Sequence, residues 1–527
     1  MSQTIATRRR EILAWVRVPE NVIALVAAIL LAVFVCEVKV RDLRVQGGDS
    51  VSFFQMVDSM AHDGTPRSQA FEATTGYLFG THLLIAPAQT FATDPLVSPP
   101  PFATNPLKGH AYLILYLVAP FARIFPSNVV LLWLLGTSFV GLVLLVYLLL
   151  RRAGLPVAAG VLFCLLVVCH PAWSQPLLWG QFYPDRLFVP LGFGFMYLVS
   201  RNRTSNGLLI AVAVLAALVN ERAALTCGGF LIAYLALYWR TAANRKVKLG
   251  LAAALFAYGW VLTTYVLVNP YYNNYFLKIG STAFTPQAGL FVLVNLPLLL
   301  LAFGAPRAAV IAVLMMLPNL LGSVGGGEKT GWATHYHSYY FPALVWAALL
   351  GYRQLYARFV ARGRAPALYA LTAALALYLA LLDPTAAPRY SFGPGNLSQT
   401  FVLAFPSTVE RVLGPAGAAL NEDAARADAF VPKGALVTTT ESGMPLIYRD
   451  HRLAYFPLDI ERADYAVFGA TVAGGRTFYS GVVNYLGPAQ QQRSNEIVVA
   501  RMKRDGYDFE HALSLPAFGM IVVKRGR

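Results

Sequence analysis

Apolar runs follow one another from residue 21 to residue 382, separated by short polar or basic stretches. They are Asn21–Cys36, Val129–Leu150, Pro156–Cys169, Leu187–Ser200, Leu208–Val219, Ala223–Trp239, Leu249–Val268, Ala288–Phe303, Ala308–Leu321, Phe341–Tyr356 and Ala365–Leu382. A membrane-crossing helix needs about 20 predominantly apolar residues, and flanking residues extend the shorter runs. The pattern predicts a mainly α-helical polytopic membrane protein with about 11 transmembrane helices. Basic clusters fall at alternate ends of the runs: Arg151-Arg152, Arg201, Arg240 to Lys248, Arg307 and Arg358 to Arg364. With the basic N-terminal segment (Arg8, Arg9, Arg10 and Arg17) in the cytoplasm, nearly all of them lie on the cytoplasmic side. The first run has no small-residue cleavage site after it and reads as a retained signal anchor.

One stretch breaks this rhythm. Residues 37–127 form the first extracytoplasmic loop, and Gly47 to Pro126 is too long and too polar for a simple connector. Loops beyond about 12–15 residues tend to be functional. This one concentrates acids: Asp49, Asp58, Asp63, Glu72 and Asp94. Val51, Phe54, Val57 and Met60 have helical spacing, which predicts an amphipathic helix over Ser50–Ala61 at the membrane interface. Asp49 and Ser50 stand where its N-cap is expected, and a helix N-terminus stabilises an ionised carboxylate. His110 to Phe125 is apolar but interrupted by Pro120 and Arg123, and reads as lying along the membrane surface.

Apolar runs end at Leu382. Beyond it, Ser407–Ala429 and Ala489–Arg504 have helical patterns, while Ala435–Thr440, Tyr465–Phe468 and Gly519–Lys524 read as buried strands. The expected organisation is a transmembrane unit over 1–382 and a small α/β unit over 383–527, placed outside by the odd span count. No Gly-rich phosphate loop is present in the second unit.

Composition agrees with a bilayer environment. Hydrophobic residues make up 57% and charged residues 13%, with mean hydropathy +0.54; a soluble domain carries about 25% charged residues. The net charge of +16 is carried mainly by the turns between apolar runs. It is a topology signal and not a nucleic-acid surface. Cys36, Cys164, Cys169 and Cys227 lie in or beside apolar runs in no metal-ligand pattern, and read as small core residues.

Ionisable groups near membrane depth say most about function, since each costs about 2.5–3.5 kcal/mol at a helix centre. Asn220-Glu221-Arg222 is caught between two runs with almost no loop. Either Glu221 and Arg222 neutralise each other in a tight outer turn, or Arg222 faces a phosphate and Glu221 orients it. Asp185-Arg186 likewise reads as a helix cap with an interface anchor or as part of a site. It follows the outer loop Pro171 to Pro184, whose Trp173, Trp179, Phe182 and Tyr183 suit a membrane interface. His335 and His337 make a weak metal pattern without nearby carboxylates. With Tyr339 and Tyr340 they read better as hydrogen-bond partners of a sugar or phosphate. His110, Lys278 and Lys329 also lie in outer loops. The proposed topology brings all these groups to the side that holds Asp49. The paired acids would accommodate a divalent metal without requiring one.

In this order the motifs resemble a family of bacterial polytopic membrane proteins of unknown function, related to the C-type (GT-C) glycosyltransferase superfamily. The resemblance rests on Asp49, Phe53, Phe54, Gln55 and Gly64; on His110 with LILYLVAPFARIFP; on Phe182 to Asp185 followed by Asn220-Glu221-Arg222; on HYHSYYFPAL at 335–344; and on ALVTTTESGMPLIYR with ADYAVF in the tail. It runs from about Asp49 to Phe468. The family often has His at the position of Tyr183, Glu at Asp185 and Lys-Glu-Asp at 220–222, so the charges at the last site are rearranged here. The resemblance implies a GT-C-like fold in the bacterial cytoplasmic membrane and an inverting transferase using a polyprenyl-phosphate-linked sugar on the outer face. Asp49 would be the general base, with Asp58 the second candidate. Arg222, Lys278 or Lys329 would stabilise the leaving phosphate, and His110, Asp185, Arg186, Glu221, His335, His337 and Tyr339 would line the substrate site.

Two other functions fit parts of the pattern. A transporter or flippase would explain the span count and buried charges, though the chain shows no internal repeat of the kind such proteins often have. A non-catalytic GT-C-like scaffold, whose tail binds a partner, would explain the departures at 183, 185 and 220–222.

Overall fold

The computed structural model describes residues 18–43, 46–80, 83, 86–98, 105–178, 180–202, 204–267, 286–322, 327–382, 401–473, 476–482 and 487–526. The N-terminal arginines, Lys278, Pro99 to Pro101, Trp179 and the boundary at residue 383 lie outside them. The helices of eight residues or more are α1 (Pro19–Arg41), α2 (Gly48–Asp63), α3 (Gln69–Gly80), α4 (Ser127–Arg152), α5 (Val157–Cys169), α6 (Pro171–Leu178), α7 (Phe188–Ser200), α8 (Asn206–Ala217), α9 (Glu221–Tyr238), α10 (Arg245–Leu267), α11 (Pro286–Ala302), α12 (Pro306–Leu321), α13 (Phe341–Ala361), α14 (Ala365–Leu381), α15 (Phe401–Leu413), α16 (Pro415–Phe430) and α17 (Pro488–Arg504).

Among the described residues α1, α4 and α10 are long and apolar enough to cross a bilayer. Together α5 and α6 make a fourth such span, bent by 60° between them. Helices α8, α11, α12 and α14 are apolar but shorter. The expectation of about 11 full spans is therefore met only in part. Several apolar runs stop short because polar residues end the helix: α7 starts only after the 3-10 turn Pro184–Leu187, and α8 ends three residues before Asn220.

The bundle packs around α13. Its residues from Phe341 to Leu349 are buried on every face, the mark of a central helix, and α7, α11 and α12 lie against it. Close approach of α11 and α13 depends on glycine. A Cβ on Gly351 would sit 2.0 Å from the Leu301 carbonyl oxygen, and one on Gly304 would sit 2.2 Å from that of Gly351. Small residues at such crossings let backbones meet, which is how helices gain packing energy in lipid. Helix α1 packs on α4, and α9 on α10. Apolar side chains such as Ile23, Leu30, Trp260, Val261 and Leu377 remain exposed on the outer faces. All four cysteines are free and buried, as core residues should be.

The segment 37–127 folds as predicted in part. The amphipathic helix is present as α2, with Val51, Phe54, Val57 and Met60 buried. His110 to Phe125 forms no long helix. It makes short turns with Tyr116, Leu117, Phe121 and Ile124 exposed. The segment 171–178 differs from the expected interface loop. It is helical and wholly buried, and Trp173 donates from Nε1 to the Phe139 carbonyl at 2.9 Å. The 60° bend turns it back into the protein.

The tail forms one mixed sheet flanked by helices. Strands β1 (Leu436–Thr439), β2 (Arg452–Tyr455), β3 (Tyr465–Ala473), β4 (Arg476–Ser480), β5 (Tyr507–Leu515) and β6 (Met520–Arg525) run in the order β2-β1-β3-β6-β5. β1 pairs in parallel with β2 and β3, and β6 antiparallel with β3 and β5. β4 pairs antiparallel with the far half of β3. The single predicted helix over 407–429 is two helices, α15 and α16, broken at Gly414.

This sheet unit docks on the segment between α1 and α4. Tyr455 stacks on Tyr77 of α3 with centroids 4.6 Å apart. Gln55 Nε2 donates to the Tyr448 carbonyl at 3.1 Å, and Arg501 Nη1 donates to the carbonyls of Phe91 and Asp94 at 3.3 and 2.7 Å. Arg411 of α15 pairs with the buried Asp42 at 2.5 Å.

Candidate active site

The head of α2 is held by another part of the chain. A helix leaves its first amides without internal partners, and Gly47, the N-cap residue, has no side chain to satisfy them. Gln181 does so instead. Its Oε1 accepts from the amides of Asp49 and Ser50 at 3.1 and 3.3 Å. The expectation that Asp49 or Ser50 caps α2 is thereby corrected. Asp49 lies in the first turn, and Ser50 Oγ accepts from the Phe182 amide at 2.7 Å. With the capping oxygen supplied from elsewhere, the Asp49 carboxylate is left for other partners.

Gln181 Nε2 donates to Oε1 of Glu441 at 2.8 Å. Glu441 comes from the turn after β1. The approach requires bare backbone at two positions. A Cβ on Gly47 would lie 2.7 Å from Gln181 Nε2, and one on Gly48 2.8 Å from Glu441 Cγ. Tyr183 donates from its hydroxyl to Asp49 Oδ2 at 2.6 Å. Burial first, and the charge of Glu441 second, push the Asp49 carboxyl up to about 6, while the Tyr183 hydrogen bond works the other way. A carboxylate that ionises near neutral pH suits a general base.

A second carboxylate anchors the adjoining half. Asp185, in the turn ahead of α7, is fully buried. Tyr112 donates to its Oδ2 at 2.7 Å, and Asn220 Nδ2 to its Oδ1 at 2.9 Å, with the Tyr339 hydroxyl also on Oδ1. Burial opposes ionisation of Asp185, but His335, His110, the Tyr339 hydroxyl and Arg222 outweigh it and hold the group down at about 2. Asn220 is also the N-cap of α9, its Oδ1 accepting from the Ala223 amide at 2.9 Å. One carboxamide thus starts a helix and fixes a buried acid. Glu221 lies 2.6 Å from His110 Nδ1 and accepts from the Ala111 amide at 3.2 Å. Arg222 stands within electrostatic reach of Asp185, Glu221, Tyr112 and Tyr339.

His335 joins the halves. Its ring centroid is 4.8 Å from that of Tyr183 and 6.4 Å from that of His110. Phe53, one turn along α2 from Asp49, meets the rings of Tyr112, Phe182 and Tyr183 edge-on at 5.3, 6.0 and 6.3 Å. Asp49, Tyr183, His335, His110, Glu221 and Asp185 therefore form one contiguous group, contributed by five separate segments.

No protein-family model matches the chain, and comparison with curated proteins returns no match. Among solved structures it is similar to the crystal structure of ArnT from Cupriavidus metallidurans bound to undecaprenyl phosphate. The identity is 13%, the TM-score 0.45, and the match covers 81% of this chain and 85% of that one.

The remaining predicted residues are distributed as follows. Asp58 is exposed and faces away from the site. Nine residues at about 100° each put it on the opposite side of α2 from Asp49. There it lines a surface groove of about 610 Å³ with Arg67, Asn128 and Arg449. Arg186 acts as a brace: it is buried, donates to the Pro176 carbonyl at 3.1 Å and to that of Ala333, and lies over the Tyr183 ring. Lys329 is buried with Glu328 at 2.8 Å and donates to the Gly322 carbonyl. His337 is stacked on Trp332 at 4.0 Å, with Nδ1 3.1 Å from the Tyr340 hydroxyl. Lys278 is outside the described residues. Among the described residues no three His, Cys, Asp or Glu side chains gather as a metal ion would need.

Sequence reasoning passed over Gln181, Tyr112 and Glu441, and saw Tyr183 only as an interface aromatic and a departure from the family pattern. Two signals were available. The glycine pair before Asp49 marks a backbone that something approaches closely, and Asn220 ahead of an acidic first turn is an N-cap signature.

Proposed function

We propose that the protein is a membrane glycosyltransferase, moving a sugar from a polyprenyl-phosphate donor to an acceptor hydroxyl on the extracytoplasmic face of the bacterial cytoplasmic membrane. Its architecture in this reading is a GT-C-like transmembrane unit over 1–382 and an outer α/β unit over 383–527, with the N-terminus in the cytoplasm. The observation that carries the reading is Asp49 itself. It ionises at about 6 in a half-buried polar group that continues to Asp185, Glu221 and Arg222.

Asp49 takes the proton of the acceptor hydroxyl as that oxygen attacks the anomeric carbon. The bond from this carbon to the donor phosphate oxygen breaks, its electron pair leaves with polyprenyl phosphate, and the configuration inverts. Arg222 offsets the charge developing on the phosphate, held in place by the field of Asp185 and Glu221. His110, His335 and Tyr339 offer hydrogen bonds to the sugar or phosphate. A general base contributes about 10²–10⁴-fold to such a step. The test is Asp49→Asn with profiling of membrane glycolipids and glycans. Loss of a glycosylated product at normal protein level is expected. An unchanged profile would overturn the catalytic role.

A further inference from the structure

We infer that the C-terminal sheet unit completes the active site by supplying Glu441 as the positioning residue for Asp49. The reaction named here rests on the glycosyltransferase reading, but the coupling between the two acids does not depend on what is transferred.

Glu441 acts through Gln181. A carboxamide has one donor end and one acceptor end, and both are committed here. Its oxygen meets two backbone amides of α2, which only donate, and its nitrogen meets the Glu441 carboxylate. An acceptor at 441 supports that orientation, and a donor there would oppose it. A flipped amide would turn its N–H groups towards the amides of Asp49 and Ser50 and leave the head of α2 uncapped. Glu441 also packs its Cγ over Gly48, directly before the reacting residue.

The turn that carries Glu441 is anchored in the sheet. The Thr440 amide donates to the Val467 carbonyl of β3 at 3.1 Å, and the amides of Gly443 and Met444 donate to the Thr440 carbonyl at 3.0 and 3.2 Å. The sheet in turn is clasped to the outer loop, where the Asp459 amide donates to the Leu96 carbonyl at 2.5 Å, beside the contacts of Tyr455, Tyr448 and Arg501. Glu441 is thus a fixed feature of the head of α2.

Other ionisable groups around α2 are differently placed. Tyr183 is the second group acting on Asp49, with Arg186 over its ring and His335 beside it. Glu72 lies on α3, which packs along α2. Arg123 binds the Ala61 carbonyl at the far end of α2. Of these, Glu441 alone brings a like charge to Asp49 and also holds the residue that caps its helix.

The experiment is a double-mutant cycle on the full-length protein in lipid nanodiscs: wild type, Asp49→Asn, Glu441→Gln and the double variant, with melting temperature read at pH values either side of 6. Above that pH, Asp49→Asn is expected to raise the melting temperature of the wild type by relieving two adjacent charges. In the Glu441→Gln background the gain should be smaller, with the part due to burial remaining, and the pH at which it levels off should fall from about 6. Glu441→Asp keeps the charge and should keep the wild-type midpoint. Equal gains in both backgrounds at every pH, or a midpoint in Glu441→Asp as low as in Glu441→Gln, would overturn the inference. Glycan profiles of the same variants separate the two claims. Coupling with unchanged glycans sinks the transferase reading alone, whereas absent coupling sinks the role of Glu441 whatever the glycans do.

Discussion

The hydroxyl of Tyr183 donates to Oδ2 of Asp49 at 2.6 Å, joining residues 134 positions apart. This bond favours the carboxylate, while burial and Glu441 favour the acid, and the balance lies at about 6. Removing it has a definite sign. Tyr183→Phe should raise the Asp49 value further, so the acid limb of a pH–rate profile moves to higher pH. Activity should fall more at pH 6 than at pH 8. A limb moved to lower pH would contradict this geometry.

Asp185 makes the opposite prediction for stability. Its folded value, about 2, lies below the ordinary 3.8. The stabilisation it gives is complete above 3.8 and is lost as pH falls through about 2. Acid unfolding of the wild type in that window should therefore be steeper than in Asp185→Asn. Asp185→Ala leaves the donors from Tyr112, Asn220 and Tyr339 without their acceptor, and should cost about 1–3 kcal/mol for each donor that finds no other partner. Denaturant melts followed by tryptophan fluorescence read both effects.

Gly351 touches backbone and has no room for a side chain. Gly351→Val would press against the Leu301 carbonyl, where even a Cβ would sit at 2.0 Å. A loss of about 1–3 kcal/mol or more is expected from overpacking. The checks are melting temperature and yield from membranes. Gly363→Ala is a poor control because its φ is +66°, whereas Gly250 has open space around it and Gly250→Ala should be neutral.

Arg411 neutralises Asp42, a carboxylate with almost no exposure. Arg411→Met leaves that charge buried, and breaking such a pair from one side costs about 3–5 kcal/mol. Limited proteolysis should cut the tail of this variant faster than that of the wild type, and Asp42→Asn in the same chain should restore part of the protection. Equal digestion rates would argue that α15 is held by its apolar contacts alone.

The helical class, the amphipathic helix α2 and the strands β1, β3 and β6 were legible in the sequence because periodicity and apolar runs mark them directly. Asp185 and Glu221 were legible as charges beside apolar runs, and Asp49, His110, His335 and Tyr339 through their loop positions and the family resemblance. The links between them were not. Gln181 meets α2 across 132 residues and Glu441 across 260, and no local spacing records such pairs. Trp173 read as part of a membrane interface because composition cannot distinguish a belt from a buried bend. The span count is met only in part among the described residues, because hydropathy registers apolar runs and not the turns at 184–187 and 218–220 that bound the helices.

Arg501 reaches back across 407 residues to the carbonyl of Asp94. A ribosome delivers the membrane helices before this clasp. During most of its synthesis, then, the outer loop carries its acid without the far end of the chain to seat it. A chain that stops before residue 441 would therefore place α2 without the carboxylate that holds Gln181 against its first turn.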